Sequence, residues 1–103
     1  FMILEVAILT VKPGLQESFE KDFALASQYI SAIDGYIGHS LRKCLEQGDQ
    51  YLLLVDWKDV ASHEISFRGS KEYLKWKALL HDYYDPFPTV EHYESVFQYP
   101  KPD

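Results

Sequence analysis

Two short aliphatic segments limit the fold of this chain more than any other feature. Residues 3–11 (ILEVAILTV) and 51–57 (YLLLVDW) are rich in β-branched and aliphatic side chains, which is typical of strands. The second segment is apolar nearly throughout, and this favours a central strand that is buried on both faces. The chain is therefore expected to fold around a sheet.

Two helical regions are predicted between the strands. In residues 15–33 apolar side chains recur at spacings of three and four, which places them on one face of a helix. Gly35 follows and suits the left-handed turn that ends many helices. A second helical region is predicted from an N-cap at Asp59 to about Tyr84. The glycine at position 69, followed by a serine, predicts an interruption within it.

Two further strands, at residues 36–46 and 89–99, complete the order strand, helix, strand, strand, helix, strand. This order is that of the ferredoxin-like βαββαβ arrangement, an α+β fold with a four-stranded antiparallel sheet. Its first and third strands lie in the middle, and both helices cover one face. Residues 2–99 are predicted to form this single domain, and residues 100–103 a C-terminal tail.

The face of the sheet without helices is expected to be apolar. The first strand and residues 52–55 of the third place aliphatic side chains on both faces. A soluble monomer rarely exposes an apolar patch of this size. Because pairing two sheets around a twofold axis would bury it, a homodimer through the sheet faces is predicted.

Charge and cysteine content limit the partners and the location. The formal net charge is −6 and no run of Lys or Arg occurs, whereas nucleic acids and anionic membranes require a basic surface. No apolar segment approaches the roughly 20 residues that span a bilayer. The single Cys44 cannot form an internal disulfide, which fits a reducing compartment. A cytoplasmic protein that binds neither nucleic acid nor membrane is expected.

The second helical region carries the strongest candidate for chemistry. Val60, His63 and Phe67 stand at i, i+3 and i+7, so His63 is expected to point to the same side as its two apolar neighbours. After the interruption, Tyr73 and Trp76 begin another inward stripe. One interpretation is an ordinary core with a hydrogen-bonded histidine. The other is a titratable group on the wall of an aromatic pocket, since imidazole has an ordinary pKa of about 6.5.

The other histidines and Arg68 give weaker signals. His92 lies in the last predicted strand and His39 in the second, where each is either structural or part of a site. His81 lies off the inward stripe and is expected to be solvated. No pair of histidines has the spacing of metal ligands, so no metal site is predicted. Arg68 either pairs with a surface acid or holds an anionic group of a ligand.

Several motifs occur together in the order expected of one known family. VKPG ends the first strand, DGY enters the second, and a tryptophan ends the third strand before ASHEISFRGSKEYLKW. PTVEHYE then occupies the last strand. With these motifs the chain resembles the antibiotic biosynthesis monooxygenase (ABM) family over nearly its whole length. The resemblance implies a dimeric α+β barrel.

The functions of that family are diverse, and the resemblance narrows them. Its members include cofactor-independent oxygenases, quinol oxygenases, haem-degrading enzymes and a sugar-phosphate isomerase. The positions that carry asparagine, tryptophan and histidine in the haem-degrading members fall here at Ala7, near Ser66 and at Lys77. These residues argue against haem, so no cofactor is expected.

The resemblance implies a monooxygenase that acts on a small aromatic or quinol-like substrate with dioxygen and without a cofactor. In this interpretation His63 is the base or proton shuttle and His92 a second catalytic group. The expected substrate-binding residues are Phe67, Arg68, Tyr73 and Trp76. A different interpretation stays open: a non-catalytic dimer of the same fold that binds a small hydrophobic ligand or serves as a scaffold.

Overall fold

The computed structural model describes residues 2–102 and contains four strands and two α-helices. The regular elements, in chain order, are β1 (Ile3–Thr10), α1 (Gln16–Ile30), β2 (Tyr36–Lys43), β3 (Gln50–Trp57), a π-helical segment (Ser62–Phe67), α2 (Lys71–Leu80), a 3₁₀ turn (His81–Tyr83) and β4 (Val90–Glu94). All strand pairs are antiparallel, and the order across the sheet is β2-β3-β1-β4. The predicted α+β ferredoxin-like fold, with the first and third strands central, is confirmed.

The core lies between the helices and one face of the sheet. Along β1 the odd-numbered residues are buried, and the same alternation runs along β3. Helix α1 packs on this buried face: the ring of Phe19 lies 5.0 Å from that of Tyr51 in β3. From α2, Trp76 and Leu80 complete the core.

Strand β3 is fully buried on one face only, whereas burial on both faces was predicted. Tyr51, Leu53 and Val55 are buried, whereas Leu52 and Leu54 on the opposite face are only half-buried. The predicted burial on both faces is therefore wrong for the single chain, because both helices cover the same face. On the open face of β1, Ile8 is 53% exposed.

Strand β4 is shorter than the predicted strand at 89–99. It ends at Glu94, which pairs with Ile3, the first residue of β1. Because β1 begins there, the chain after Glu94 has no strand beside it with which to continue the ladder. Asp103, at the end of the predicted tail, lies outside the described residues, and the domain boundary at residue 99 stays a prediction.

Two glycines hold the second helical region in its position. Gly35 has a φ of +93°, and a side chain there would clash with Ser62, since a Cβ would lie 2.1 Å from the Ser62 hydroxyl oxygen. Gly69 interrupts the helix as predicted, and Ser70 then caps α2 by accepting a hydrogen bond from the backbone N–H of Tyr73 at 3.1 Å. No helix in the described part of the chain has the length and apolar character needed to cross a membrane.

Candidate functional site

A short π-helix carries the candidate histidine. Asp59 caps the short helical turn that leads into it, because one carboxylate oxygen accepts from the backbone N–H of Ser62 at 2.8 Å and from its hydroxyl at 2.7 Å. The backbone N–H of Arg68 donates to the carbonyl of His63 at 3.1 Å, the i to i+5 pattern of a π-helix. His63 and Phe67 are buried, whereas Val60, two residues before the π-helix, is 36% exposed. The predicted grouping of Val60 with the other two residues is therefore wrong.

A cavity of about 70 Å³ lies between the helical layer and the sheet. His63 lines it, together with the four residues predicted to bind substrate: Phe67, Arg68, Tyr73 and Trp76. Phe67 is the centre of this wall, since its ring packs edge-on against Tyr73 at 5.2 Å and against Trp76 at 5.7 Å. The structure thus brings together five of the six candidate residues around one cavity.

A buried carboxylate, which the sequence analysis missed, lies against His63. Glu5 of β1 is 5% exposed, and its Oε1 accepts a hydrogen bond from the indole N–H of Trp57 at 2.8 Å. The Nε2 of His63 lies 3.4 Å from the same oxygen. His63 also stacks on Trp57, with ring centres 5.5 Å apart and an interplanar angle of 25°. Trp57 therefore holds both the carboxylate and the imidazole in place.

His92, the sixth candidate, lies behind His63. Its Nε2 is 2.8 Å from the Nδ1 of His63, and its own Nδ1 is 3.9 Å from Oε1 of Glu64. Sheet pairing explains this position, because His92 of β4 is the direct partner of Glu5 in β1. The four side chains form a polar chain, in the order Glu5, His63, His92, Glu64, from the buried carboxylate to the half-exposed Glu64, with a hydrogen bond between the histidines and longer contacts of 3.4 and 3.9 Å at the two ends.

Burial shifts the pKa values of the two inner groups in opposite senses. For His63, burial, with the nearby charges of Arg68 and His92, lowers the pKa from 6.5 to about 3. For Glu5, burial raises the pKa above its ordinary value, although the hydrogen bond from Trp57 and the charge of Arg68 oppose the shift. His63 is therefore neutral near pH 7, and its pKa lies below the ordinary value on which its expected role as a base was founded.

Glu5 and His81 also line the cavity, and neither of them was placed there from the sequence. Glu5 is the one charged residue in the aliphatic segment 3–11, and alternation places it on the buried face with Ala7. His81, which was expected to be solvated, is half-buried in the cavity wall, 4.9 Å from the ring of Phe87. That prediction is wrong, because the 3₁₀ turn after α2 redirects the side chain toward the cavity.

The site has no arrangement suited to a metal ion. Within residues 2–102 no group of three or more His, Cys, Asp or Glu side chains is placed to hold one. Arg68 makes no salt bridge to an acidic side chain among these residues, and its side chain lines the cavity instead. A positive charge beside aromatic rings and a buried carboxylate is suited to a small ring that carries a polar group.

The fold and this cavity define a small α+β protein with a cavity between helices and sheet. The sequence profile of the antibiotic biosynthesis monooxygenase family matches residues 2–79, and the chain belongs to that family. His92 lies beyond the matched residues, so the outer part of the polar chain is not covered by this match.

Individual relatives agree with the assignment. The uncharacterized protein YczJ of Bacillus subtilis is 53% identical over 95 residues, which cover 92% of this chain and 100% of that protein. A crystal structure from Bordetella bronchiseptica, assigned to the antibiotic biosynthesis monooxygenases, is 32% identical with a TM-score of 0.89 over 93% of this chain and 98% of that one.

A more distant structure shares the fold. SnoaB of Streptomyces nogalater, a cofactor-independent oxygenase, is 20% identical, with a TM-score of 0.78 over 97% of this chain and 98% of SnoaB.

Proposed function

We propose that this protein is a cofactor-independent monooxygenase that acts on a small aromatic or quinol-like substrate. The observation that carries the proposal is a cavity with aromatic walls that borders a chain of titratable side chains running from its inner end to the surface. Membership of the ABM family and the fold shared with the oxygenase SnoaB support it.

The reaction requires little from the protein beyond binding and proton transfer. Loss of a proton from an aromatic hydroxyl leaves an electron-rich anion, and such an anion can react directly with dioxygen. The substrate supplies the electrons: one oxygen atom enters the product and the other leaves as water. A dry aromatic pocket favours this chemistry because it excludes water from the reactive intermediate.

The cavity residues take distinct roles in this proposal. Phe67 and Trp76 pack on the faces of the substrate ring, and Tyr73 closes the same wall. The guanidinium of Arg68 stabilises the anion and orients it. These roles agree with the residue types and with their common position around the cavity.

The two histidines act as a neutral relay rather than as a base that stores a proton. Because the pKa of His63 is lowered to about 3, an imidazolium there is costly near pH 7. A neutral imidazole can still take a proton on one nitrogen while it releases one from the other. His63 contacts Glu5 through Nε2 and His92 through Nδ1, which is the arrangement such a transfer requires.

A homodimer through the open sheet faces is part of the proposal. The apolar side chains Leu4, Val6, Leu52 and Leu54 are half-buried, and Ile8 is exposed, on the face that no helix of the single chain covers. Sedimentation equilibrium at micromolar concentration is expected to give twice the monomer mass. A monomer would contradict this part of the proposal. The cytoplasmic location also stays a prediction, based on the single Cys44.

The function is tested by oxygen uptake with a panel of quinols and naphthols. We expect uptake above the buffer rate for at least one of them, without added metal, flavin or haem, and incorporation of one labelled oxygen atom from ¹⁸O₂. Ala7→Val, which adds two methyl groups to the cavity wall, is expected to reduce the rate strongly. Ala78→Val on the exposed side of α2 is the matched control and should retain it.

One result would contradict the oxygenase proposal. If members of the panel bind to the wild type but none is oxidised faster than in buffer, the oxygenase proposal is wrong and the ligand-binding interpretation replaces it. Thermal unfolding of both valine variants is measured in parallel, since overpacking a core typically costs about 1–3 kcal/mol.

A further inference from the structure

Glu5 is a buried charged residue to which the roles above assign no contact with the ligand. Its side chain is one of the few polar groups inside the core, with 5% of the residue exposed. Both recorded polar contacts of the carboxylate use the same oxygen: Oε1 accepts from Trp57 and lies 3.4 Å from His63. The second oxygen, Oε2, has no such contact with any residue between 2 and 102.

The free oxygen is not sealed inside the protein. Among residues 2–102, every side-chain nitrogen or oxygen that is sealed from solvent has a hydrogen-bond partner. Oε2 has none, so it is not sealed, and Glu5 is one of the residues that line the cavity. A half-sealed carboxylate oxygen without a partner is costly unless a donor reaches it. The pocket is therefore complementary to a ligand that brings a hydrogen-bond donor.

The ring nitrogens of His63, unlike Oε2 of Glu5, have polar protein atoms close to them. Nδ1 of His63 is 2.8 Å from Nε2 of His92 and its Nε2 is 3.4 Å from Oε1 of Glu5, so a polar protein atom lies close to each ring nitrogen. Its ring face is covered by Trp57. A ligand in the cavity meets the carboxylate of Glu5 rather than a free nitrogen of His63.

We propose that Glu5 is the proton acceptor of the pocket and that it recognises an aromatic hydroxyl group through Oε2. This inference rests on the proposed function for its place in the reaction, but the recognition of a hydroxyl group does not. In the transfer, the O–H bond of the ligand breaks and an O–H bond forms on Oε2. The electron pair stays on the ligand as an oxyanion. The proton stays on Oε2 of Glu5 in this step, and Oε1 of the same carboxyl group lies at the inner end of the chain through His63 and His92.

The surroundings of Glu5 suit this task. The charged and titratable groups that face it are His63 from the π-helix, His92 from β4 and Arg68 after the π-helix, while Trp57 of β3 donates a hydrogen bond. Burial raises the pKa of Glu5, which makes its carboxylate a stronger base than an exposed one. Arg68 lies on the same cavity wall and can stabilise the oxyanion that forms.

Binding of phenol and fluorobenzene tests the recognition directly. The two molecules have similar shapes, but only phenol has a hydroxyl donor. Titrations followed by amide chemical shifts are expected to give about tenfold or more tighter binding of phenol to the wild type, since hydrogen bonds to charged groups are typically worth this much. In Glu5→Gln the preference should fall to within about twofold, because the amide can keep the bond from Trp57 while its NH₂ group faces the cavity.

The matched control is Glu17→Gln, the same change at a residue whose side chain is 91% exposed on α1, and it should keep the full preference. Equal binding of phenol and fluorobenzene to the wild type, or no binding of phenol, would overturn the proposal. So would an unchanged preference in Glu5→Gln.

A second measurement does not depend on a variant that folds. In wild-type protein with ¹³C-labelled glutamate, phenol is expected to shift the carboxyl resonance of Glu5 and to leave that of Glu17 unchanged. If the Glu5 resonance does not move on saturation with phenol, the inference is wrong.

The two proposals fail in different ways. Preference for phenol that depends on Glu5, without oxygen uptake from any quinol, would support the proton acceptor and remove the oxygenase. Oxygen uptake that is equal in Glu5→Gln and in the wild type would support the oxygenase and remove Glu5 as the acceptor.

Discussion

His39 and His63 lie on the same side of the sheet, and the groups around them differ in charge. His39 of β2 lies between uncharged hydroxyl groups: Tyr36 Oη is 2.5 Å from its Nδ1, and Ser27 Oγ is 2.8 Å from its Nε2. His63 lies between a buried carboxylate and a second histidine. Burial lowers the pKa of both imidazoles.

This difference separates a structural histidine from a candidate for chemistry. Both ring nitrogens of His39 are bonded to neutral groups, and its ring packs on Phe23 at 5.8 Å, so it joins α1 to β2. The partners of His63 can themselves accept and release protons. Hydrogen bonding alone is therefore a poor indicator of function, whereas the chemical nature of the partners is informative.

The largest expected difference between the two histidines is in turnover. His63→Gln is expected to lower oxygen uptake with the best quinol by about 100-fold or more, the usual range for loss of a group in acid–base catalysis. His39→Gln should stay within about twofold of the wild type, because it makes no contact with the proton path. Initial rates at saturating substrate provide the measurement. Equal losses of oxygen-uptake rate in the two variants would show that the two histidines do not differ in function.

The structural role of His39 predicts a loss of stability without a loss of rate. Tyr36→Phe leaves Nδ1 of a half-buried His39 without its partner, which is expected to cost about 1–2 kcal/mol in the free energy of unfolding. Urea unfolding measures this, with oxygen uptake as the second readout. A variant as stable as the wild type would show that the Tyr36–His39 bond contributes nothing to the fold.

The lowered pKa of His63 predicts a pH dependence of stability. Unfolding returns the pKa from about 3 to 6.5, so the unfolded chain binds the extra proton between these values. The free energy of unfolding of the wild type should therefore fall, relative to His63→Gln, as the pH drops from about 6.5 towards 3. Urea unfolding of both proteins across this range tests the sign.

His39→Gln serves as the comparison in the same experiment. Burial also lowers the pKa of His39, so the wild type should again lose stability relative to His39→Gln as the pH falls. The neutral state of His63 would be contradicted if the difference in free energy of unfolding between the wild type and His63→Gln did not change with pH. A change in the opposite direction would also contradict it.

The smallest effect is expected at the outer end of the polar chain. Glu64 is half-exposed and its carboxylate lies 3.9 Å from His92, so Glu64→Gln should change stability by less than about 0.5 kcal/mol. Oxygen uptake should fall only a few-fold, because water can take the proton from His92 in its place. A loss as large as that of His63→Gln would make Glu64 an essential member of the chain.

Most of the fold followed from local patterns in the sequence. The alternation of residues 3–11 predicted β1, and the glycine at position 69 predicted the break before α2, since both depend on short-range geometry. The π-helix did not follow, because an i to i+5 bond such as that from Arg68 to His63 has no signature in the spacing of apolar residues, which fits an α-helix equally well.

The sequence by itself determined the order of the elements and the residue types on the inner face of the second helical region, because periodicity is a local property of the chain. Only the tertiary structure decided that Glu5, His63 and His92 meet. They come from β1, the π-helix and β4, and the antiparallel register of β1 with β4 sets their contact. Burial in the folded chain shifts the pKa values of Glu5 and His63, and no local pattern records how far a side chain is from water.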